Sequence, residues 1–217
     1  GMRTTIPLQL DAWQSYFIVF TKAAAAPKTH TKNFPGREVL TTLTGPWKVA
    51  FNPRWGGPDN AVFDTLADWT QRPEAGIKYY SGIAVYHKTF DLPAEDKNAA
   101  LFLDLGTVNN LARVTLNGKD LGVVWTAPRR VDISAAVLPT GNQLEIAVAN
   151  LWPNRLIGDE KFPDDGIKDG KWPDWLLNGL PRSSGRYTFT TWKFYTKDSP
   201  LLPSGLLGPV TIQKEMK

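Results

Sequence analysis

Two short runs of alternating apolar residues, Val114 to Leu116 and Leu121 to Trp125, are joined by Asn117-Gly118-Lys119-Asp120. Asn-Gly between such runs is the strongest short-range hairpin signal, because a two-residue turn needs positive φ angles that these residues adopt at little cost. Val114, Leu116, Leu121, Val123 and Trp125 then share one face, with Thr115 and Val124 on the other, and a slip of one residue would exchange inside for outside. The chain is committed to antiparallel sheet at its centre. Asn117 reads as a turn residue, not a ligand contact.

The same punctuated alternation recurs at Trp47 to Phe51, Gly82 to Phe90, Ala100 to Leu105 and Leu144 to Asn150. Strands at this spacing, in a chain with 18 glycines and 17 prolines, predict an all-β sandwich or jelly roll. At 217 residues and 42% hydrophobic content the chain can bury a sizeable core. Helical signals are confined to Asp132 to Leu138, one turn capped by Asp132, and to Asn60 to Trp69. Ser15 to Thr21, SYFIVFT, reads as a strand. Lys22 to Arg37, with four alanines, Pro27 and Pro35-Gly36, reads as a linker. Residues 1–36 are therefore an N-terminal strand and linker, and residues 37–217 the sandwich.

Several function classes are excluded by what the chain carries. Its net charge is +4, yet 25 basic and 21 acidic residues are interleaved, and Arg129-Arg130 is the one adjacent arginine pair, which argues against nucleic acid as a partner. No apolar run approaches the roughly 18 residues of a membrane span. Without cysteine there are no disulfides, thiol nucleophiles or cysteine-bound zinc. His30 falls in the linker and His87 in a strand, so neither a histidine triad nor a two-histidine metal site is supported. No phosphate loop or dinucleotide fingerprint is present, and no cofactor or metal is expected.

Trp152 to Asp198 breaks the strand rhythm with nine aromatic, eight Lys or Arg and seven Asp or Glu residues in 47 positions. A loop this long inside a compact domain is functional when it is ordered, and its aromatic density argues for order. Sugars present apolar C–H faces and hydroxyl rims, so they need flat rings beside fixed donors and acceptors. Trp172, Trp175, Asp174, Asn178, Arg182 and Arg186 supply those types within fifteen positions. Two other readings use the same residues: tryptophans that pin the loop onto the sandwich, or that dock it onto another domain. Glycoside hydrolysis needs two carboxylates about 5 Å or about 6.5–9.5 Å apart. Adjacent pairs such as Asp159-Glu160 and Asp164-Asp165 fix no such separation, so no catalytic residue is assigned.

GPWKVAF at Gly45 to Phe51, YYSGIAVYHKTFDLP at Tyr79 to Pro93, LFLDLGTVNNLARVTLNGKDLGVVW at Leu101 to Trp125 and GNQLEIAVANLWPNRLIGD at Gly141 to Asp159 occur in that order. This set resembles the sugar-binding domain of family-two glycoside hydrolases, a galactose-binding-like β jelly roll that accompanies a separate catalytic barrel. Asn154 to Asp159 and Ser204 to Val210 are most similar to the C-terminal domain of family 106 α-L-rhamnosidases. The resemblance implies a noncatalytic module that binds carbohydrate, a plant polysaccharide or glycan oligosaccharide, or supports a barrel in cis or in trans. It also implies that residues 1–36 close a preceding domain, and that the location is periplasmic or extracellular. Its long Trp-rich insertion before the last strand would carry the site, and Asp159, Asp164, Asp165, Asp169 and Asp174 are candidates for a carboxylate lent to the barrel. Asp159 joins the six residues above as the expected carbohydrate contacts. A docking domain without sugar binding and a small autonomous glycosidase are the alternatives.

Overall fold

Alternation at a period of two turns one side of each strand toward a shared interior. In the computed structural model, which describes residues 5–10, 14–20, 34–92 and 100–216, two facing sheets are built this way. The strands are β1 (Arg37–Thr42), β2 (Trp47–Ala50), β3 (Ala61–Phe63), β4 (Ile83–Phe90), β5 (Leu101–Asp104), β6 (Thr107–Asn109), β7 (Leu111–Leu116), β8 (Lys119–Val124), β9 (Arg130–Asp132), β10 (Asn142–Ala149), β11 (Gly205–Gly208) and β12 (Thr211–Glu215). Three short helices, α1 (Ala75–Lys78), α2 (Pro153–Asp159) and α3 (Asp174–Leu177), lie in the connections. One sheet has the order β1-β12-β5-β9, the other β3-β2-β4-β10-β7-β8, and β11 pairs with β6. Named pairings are antiparallel throughout, as an all-β sandwich requires.

The centre of the larger sheet sets its register. Ile146 on β10 sits opposite Tyr86 on β4 and Val114 on β7, all three fully buried. Leu103, Val131 and Ile212 answer them from the facing sheet, in one continuous core. The hairpin turn forms as expected, with Asn117 at φ 52° and Gly118 at φ 78°. The Asn117 amide donates to Ala136 O at 2.7 Å and Asn142 Oδ1 at 2.9 Å, and its Oδ1 accepts from Gln143 N at 2.8 Å.

The second arm of the hairpin departs from simple alternation. Arg113 pairs with Val123 but Thr115 pairs with Asp120, so Leu121 and Gly122 together oppose Val114. This bulge, with Gly122 at φ 94°, reverses the faces beyond it. Leu121 and Val124 pack on the core, whereas Val123 and Trp125 are 51% and 72% exposed.

Other expectations are corrected as well. Asn60 to Trp69 holds β3 and then a single tight turn at Trp69–Gln71, capped by the Asp68 side chain, and not a helix. After β9, Asp132 caps a hydrogen-bonded turn through Ser134 N at 2.8 Å, and no helix follows. Residues 14–20 form no strand: a strand needs a ladder partner, and here Phe17 is 97% exposed. Thr21 and most of the linker lie outside the described residues.

An aromatic group closes the core beneath the connections. Trp69 Nε1 donates to Tyr86 Oη at 2.6 Å, and Leu206 N donates to the same oxygen at 3.2 Å. Burial pushes the Tyr86 phenol up to about 12, although these two donors pull the other way. The folded chain holds that proton more tightly than the unfolded chain. Its contribution to stability is therefore complete below about pH 10 and is lost as pH rises toward 12. An ultraviolet titration of the phenols should show a late step that coincides with unfolding, and Tyr86→Phe should remove it. A Tyr86 that titrates near pH 10 in the folded chain would contradict this.

Candidate functional site

The departure between β10 and β11 is rooted by short polar side chains. Asn154, buried in α2, donates to Leu202 O at 2.7 Å and accepts from Leu202 N at 2.8 Å, zipping the outgoing chain to the returning one. Ser81 Oγ donates to Leu151 O at 2.8 Å and accepts from Arg155 N at 3.1 Å. Pro153 at the first helical position suits the start of α2, where its missing N–H is not needed.

Above this root, ion pairs organise the segment in place of an apolar core. Asp159 is fully buried, and one of its oxygens accepts from Tyr187 N, Thr188 N and Thr188 Oγ1 at 2.7–3.0 Å. Its other oxygen faces the buried Arg155 Nε at 3.2 Å without the alignment of a hydrogen bond. Burial draws the Arg155 guanidinium below its ordinary value, opposed by the charge of Asp159. Arg182 grips Asp165 through Nε and Nη2, donates from Nη1 to Thr188 O, and lies over the Trp175 ring at 4.8 Å, while Trp175 Nε1 donates to Asp165 O at 2.9 Å. Arg186 Nη1 donates to Glu160 Oε1 at 2.8 Å. Burial pushes the Asp165 carboxyl up, but the Arg182 guanidinium with Ser184 and Arg186 outweighs it, leaving that group below the usual carboxylate range.

These partners decide the fate of the expected carbohydrate contacts. Asp159, Arg182, Arg186 and the half-buried Trp175 are engaged inside the segment and hold it together. Trp172, Asp174 and Asn178 remain exposed around α3, Trp172 at 54%. Asp169 sits at φ 49° beside Gly170 in the tight turn joining Lys168 to Lys171, a second Asx-Gly hairpin. Asp164 pairs with Lys193 at 3.0 Å.

The residues that sequence reasoning missed are the aromatic ones further on. Phe189, Trp192 and Phe194 are 77%, 61% and 69% exposed. Phe189 meets Trp152 edge to face at 6.0 Å, and Trp152 meets Trp55 in the same way at 5.7 Å, so an aromatic chain crosses from the sandwich onto the insertion. The signal was the run TFTTWKFYT, where threonines and large rings interleave without the Gly or Pro punctuation of a buried strand.

A general acid for glycoside cleavage needs a raised pKa, and Asp164 and Asp165 are shifted the other way, Asp164 chiefly by the Gly166 N–H and Lys193. Among the described residues no group of three or more His, Asp or Glu is placed to hold a metal ion. No described helix is long and apolar enough to cross a membrane.

Residues 75–174 match the family described as glycosyl hydrolase 2 galactose-binding domain-like. A protein of Formosa agariphila, provisionally named a beta-glucuronidase, is 46% identical over 196 residues, 83% of this chain and 17% of that protein. The structure of a rhamnosidase from Novosphingobium sp. PP1Y superposes with a TM-score of 0.72 at 38% identity, covering 88% of this chain and 16% of that one. A beta-glucuronidase from Ruminococcus gnavus, at 20% identity and a TM-score of 0.51 over 85% of this chain and 30% of its own, shares the fold. This chain spans about a sixth of the length of the first two relatives.

Proposed function

The chain carries a galactose-binding-like domain of the glycosyl hydrolase family 2 kind, and from that premise we propose that it is a noncatalytic module that packs against a glycoside hydrolase catalytic domain through the insertion between β10 and β11. One observation carries the reading. A segment held stiff by three buried or half-buried arginine–carboxylate pairs turns Trp152, Phe189, Trp192 and Phe194 outward, and Leu176 and Leu177 are exposed on α3. Rigid aromatic surface of this kind is what protein interfaces concentrate at their centres, and its ordering entropy is already lost before binding. The small share of each relative that the chain covers supports a supporting role beside a larger body. The substrate of that body would be a rhamnoside or a glucuronide, after the names of the relatives.

The test is association in trans. The Novosphingobium rhamnosidase, lacking its corresponding segment, is expected to bind this chain in analytical ultracentrifugation. Trp192→Ala or Phe189→Ala should weaken the complex by about tenfold or more, as hot-spot aromatics do. Association that ignores both substitutions would refute the assigned surface. Sugar contact at Trp172, Asp174 and Asn178 is a second reading, favoured by an exposed indole beside an exposed carboxylate and amide.

A further inference from the structure

Among the described residues, Arg155 is a buried ion with unspent hydrogen-bonding capacity. Its side chain is 4% exposed, yet none of its side-chain N–H groups makes a hydrogen bond among those residues. Nε faces Asp159 Oδ1 out of line, and the other Asp159 oxygen is already taken by Tyr187 N, Thr188 N and Thr188 Oγ1. Buried donors are as a rule satisfied, so a guanidinium placed like this calls for an acceptor that the fold does not supply. Access is open from one end: Nε is enclosed, whereas the two terminal nitrogens come to the surface.

The groups around those nitrogens are donors as well. The guanidinium lies over the Tyr187 ring at 4.8 Å, and Nη2 approaches Tyr79 across the bare α-carbon of Gly158, where a Cβ would strike Nη2 and sit 2.6 Å from Tyr79 Cβ. Neither phenol hydroxyl makes a hydrogen bond among the described residues. Lys161 Nζ stands over the Tyr79 ring at 4.7 Å and Lys78 Nζ at 6.0 Å, and neither ammonium has a carboxylate partner among the described residues. Acids adjacent in sequence are spent, Glu160 on Arg186 and Glu74 on Arg72. Asp159 therefore offsets one of the three positive charges gathered about Tyr79, and two are left over.

We propose that Arg155, Tyr79, Tyr187 and Lys161 form a binding site for a tetrahedral oxyanion, a phosphate or sulfate group, with Lys78 adding charge. As the free ion such a group is close to doubly charged and matches the surplus. A carboxylate is flat and is met in full by one arginine fork, whereas ammonium and phenol donors added to that fork suit oxygens that do not share a plane. The site uses none of the outward rings Trp152, Phe189, Trp192 and Phe194, so anion binding here and association through the insertion succeed or fail separately.

The experiment is an NMR titration of the full chain, at fixed ionic strength, with inorganic phosphate, sulfate, methyl phosphate and acetate. Phosphate or sulfate is expected to shift the Arg155 Nε–H and the Gly158 amide with a Kd of about 1 mM or tighter, and acetate to bind about tenfold more weakly. Methyl phosphate bound more tightly than inorganic phosphate assigns the site to an esterified group, and the reverse order to a free ion. Because Arg155→Ala also breaks a buried charge pair, the deciding variants lie at the margin. Lys161→Glu should weaken binding by about tenfold or more with the remaining amide spectrum in place, and Tyr187→Phe, which keeps the ring beneath Arg155, by about threefold. No shift with phosphate or sulfate would overturn the proposal, as would a titration that Lys161→Glu leaves unchanged. Acetate bound as tightly as both tetrahedral ions would overturn the assignment of ligand class.

Discussion

Asp159→Ala is expected to lower stability by about 3–5 kcal/mol, because it strands the buried Arg155 guanidinium without its counter-charge. The same change removes the acceptor shared by Tyr187 N, Thr188 N and Thr188 Oγ1, which fold the returning half of the insertion onto α2. Urea denaturation gives the size of the loss, and hydrogen exchange at the Thr188 amide locates it. Asp159→Asn keeps an oxygen in place but not the charge, so it should fall between the wild type and the alanine variant. A loss under about 1 kcal/mol for Asp159→Ala would mean that water reaches Arg155, contrary to its 4% side-chain exposure.

Trp69→Ala should be comparably severe. Trp69 is fully buried, and its ring meets Phe51 at 5.4 Å and Tyr80 at 5.7 Å, both edge to face. Truncation of a buried aromatic ring costs about 3–5 kcal/mol through lost contacts and the cavity left behind. In a chain of this size that lowers Tm by about 10 °C. Calorimetry measures it, and Trp69→Phe separates the terms, since it restores much of the ring but not the Nε1–H that donates to Tyr86. Gly205 adds an internal check. A Cβ there would come within 2.4 Å of Trp69 Nε1, so Gly205→Ala should cost less in the Trp69→Ala background than in the wild type, apart from the strain of its φ of 102°. Equal costs in both backgrounds would show that the ring does not set that glycine.

The sheets were legible because their information is local. Asn117-Gly118 fixes its own turn, and Leu144, Ile146 and Val148 state their own burial by alternating with Gln143, Glu145 and Ala147. The insertion was legible as a place but not as a structure. Nothing in the spacing of Arg182 and Arg186 says that they reach back 17 and 26 positions to Asp165 and Glu160, because loop closure over such distances is decided by the rest of the fold. Residue types suited to a sugar are also those suited to buried ion pairs, and composition does not separate the two uses. Phe17 and its neighbours failed for a further reason: period-two alternation marks a strand only where another strand accepts its ladder.

Strand β8 lies at the rim of the larger sheet, where unpaired N–H and C=O groups invite another chain to add on. The extra residue at Gly122 breaks the even spacing of those groups and swings the strand out of plane. A second molecule sliding along this rim meets a ladder with a missing rung. The turn that organises the fold is thus followed, four residues on, by a break in the rim that opposes the pairing of another chain along β8.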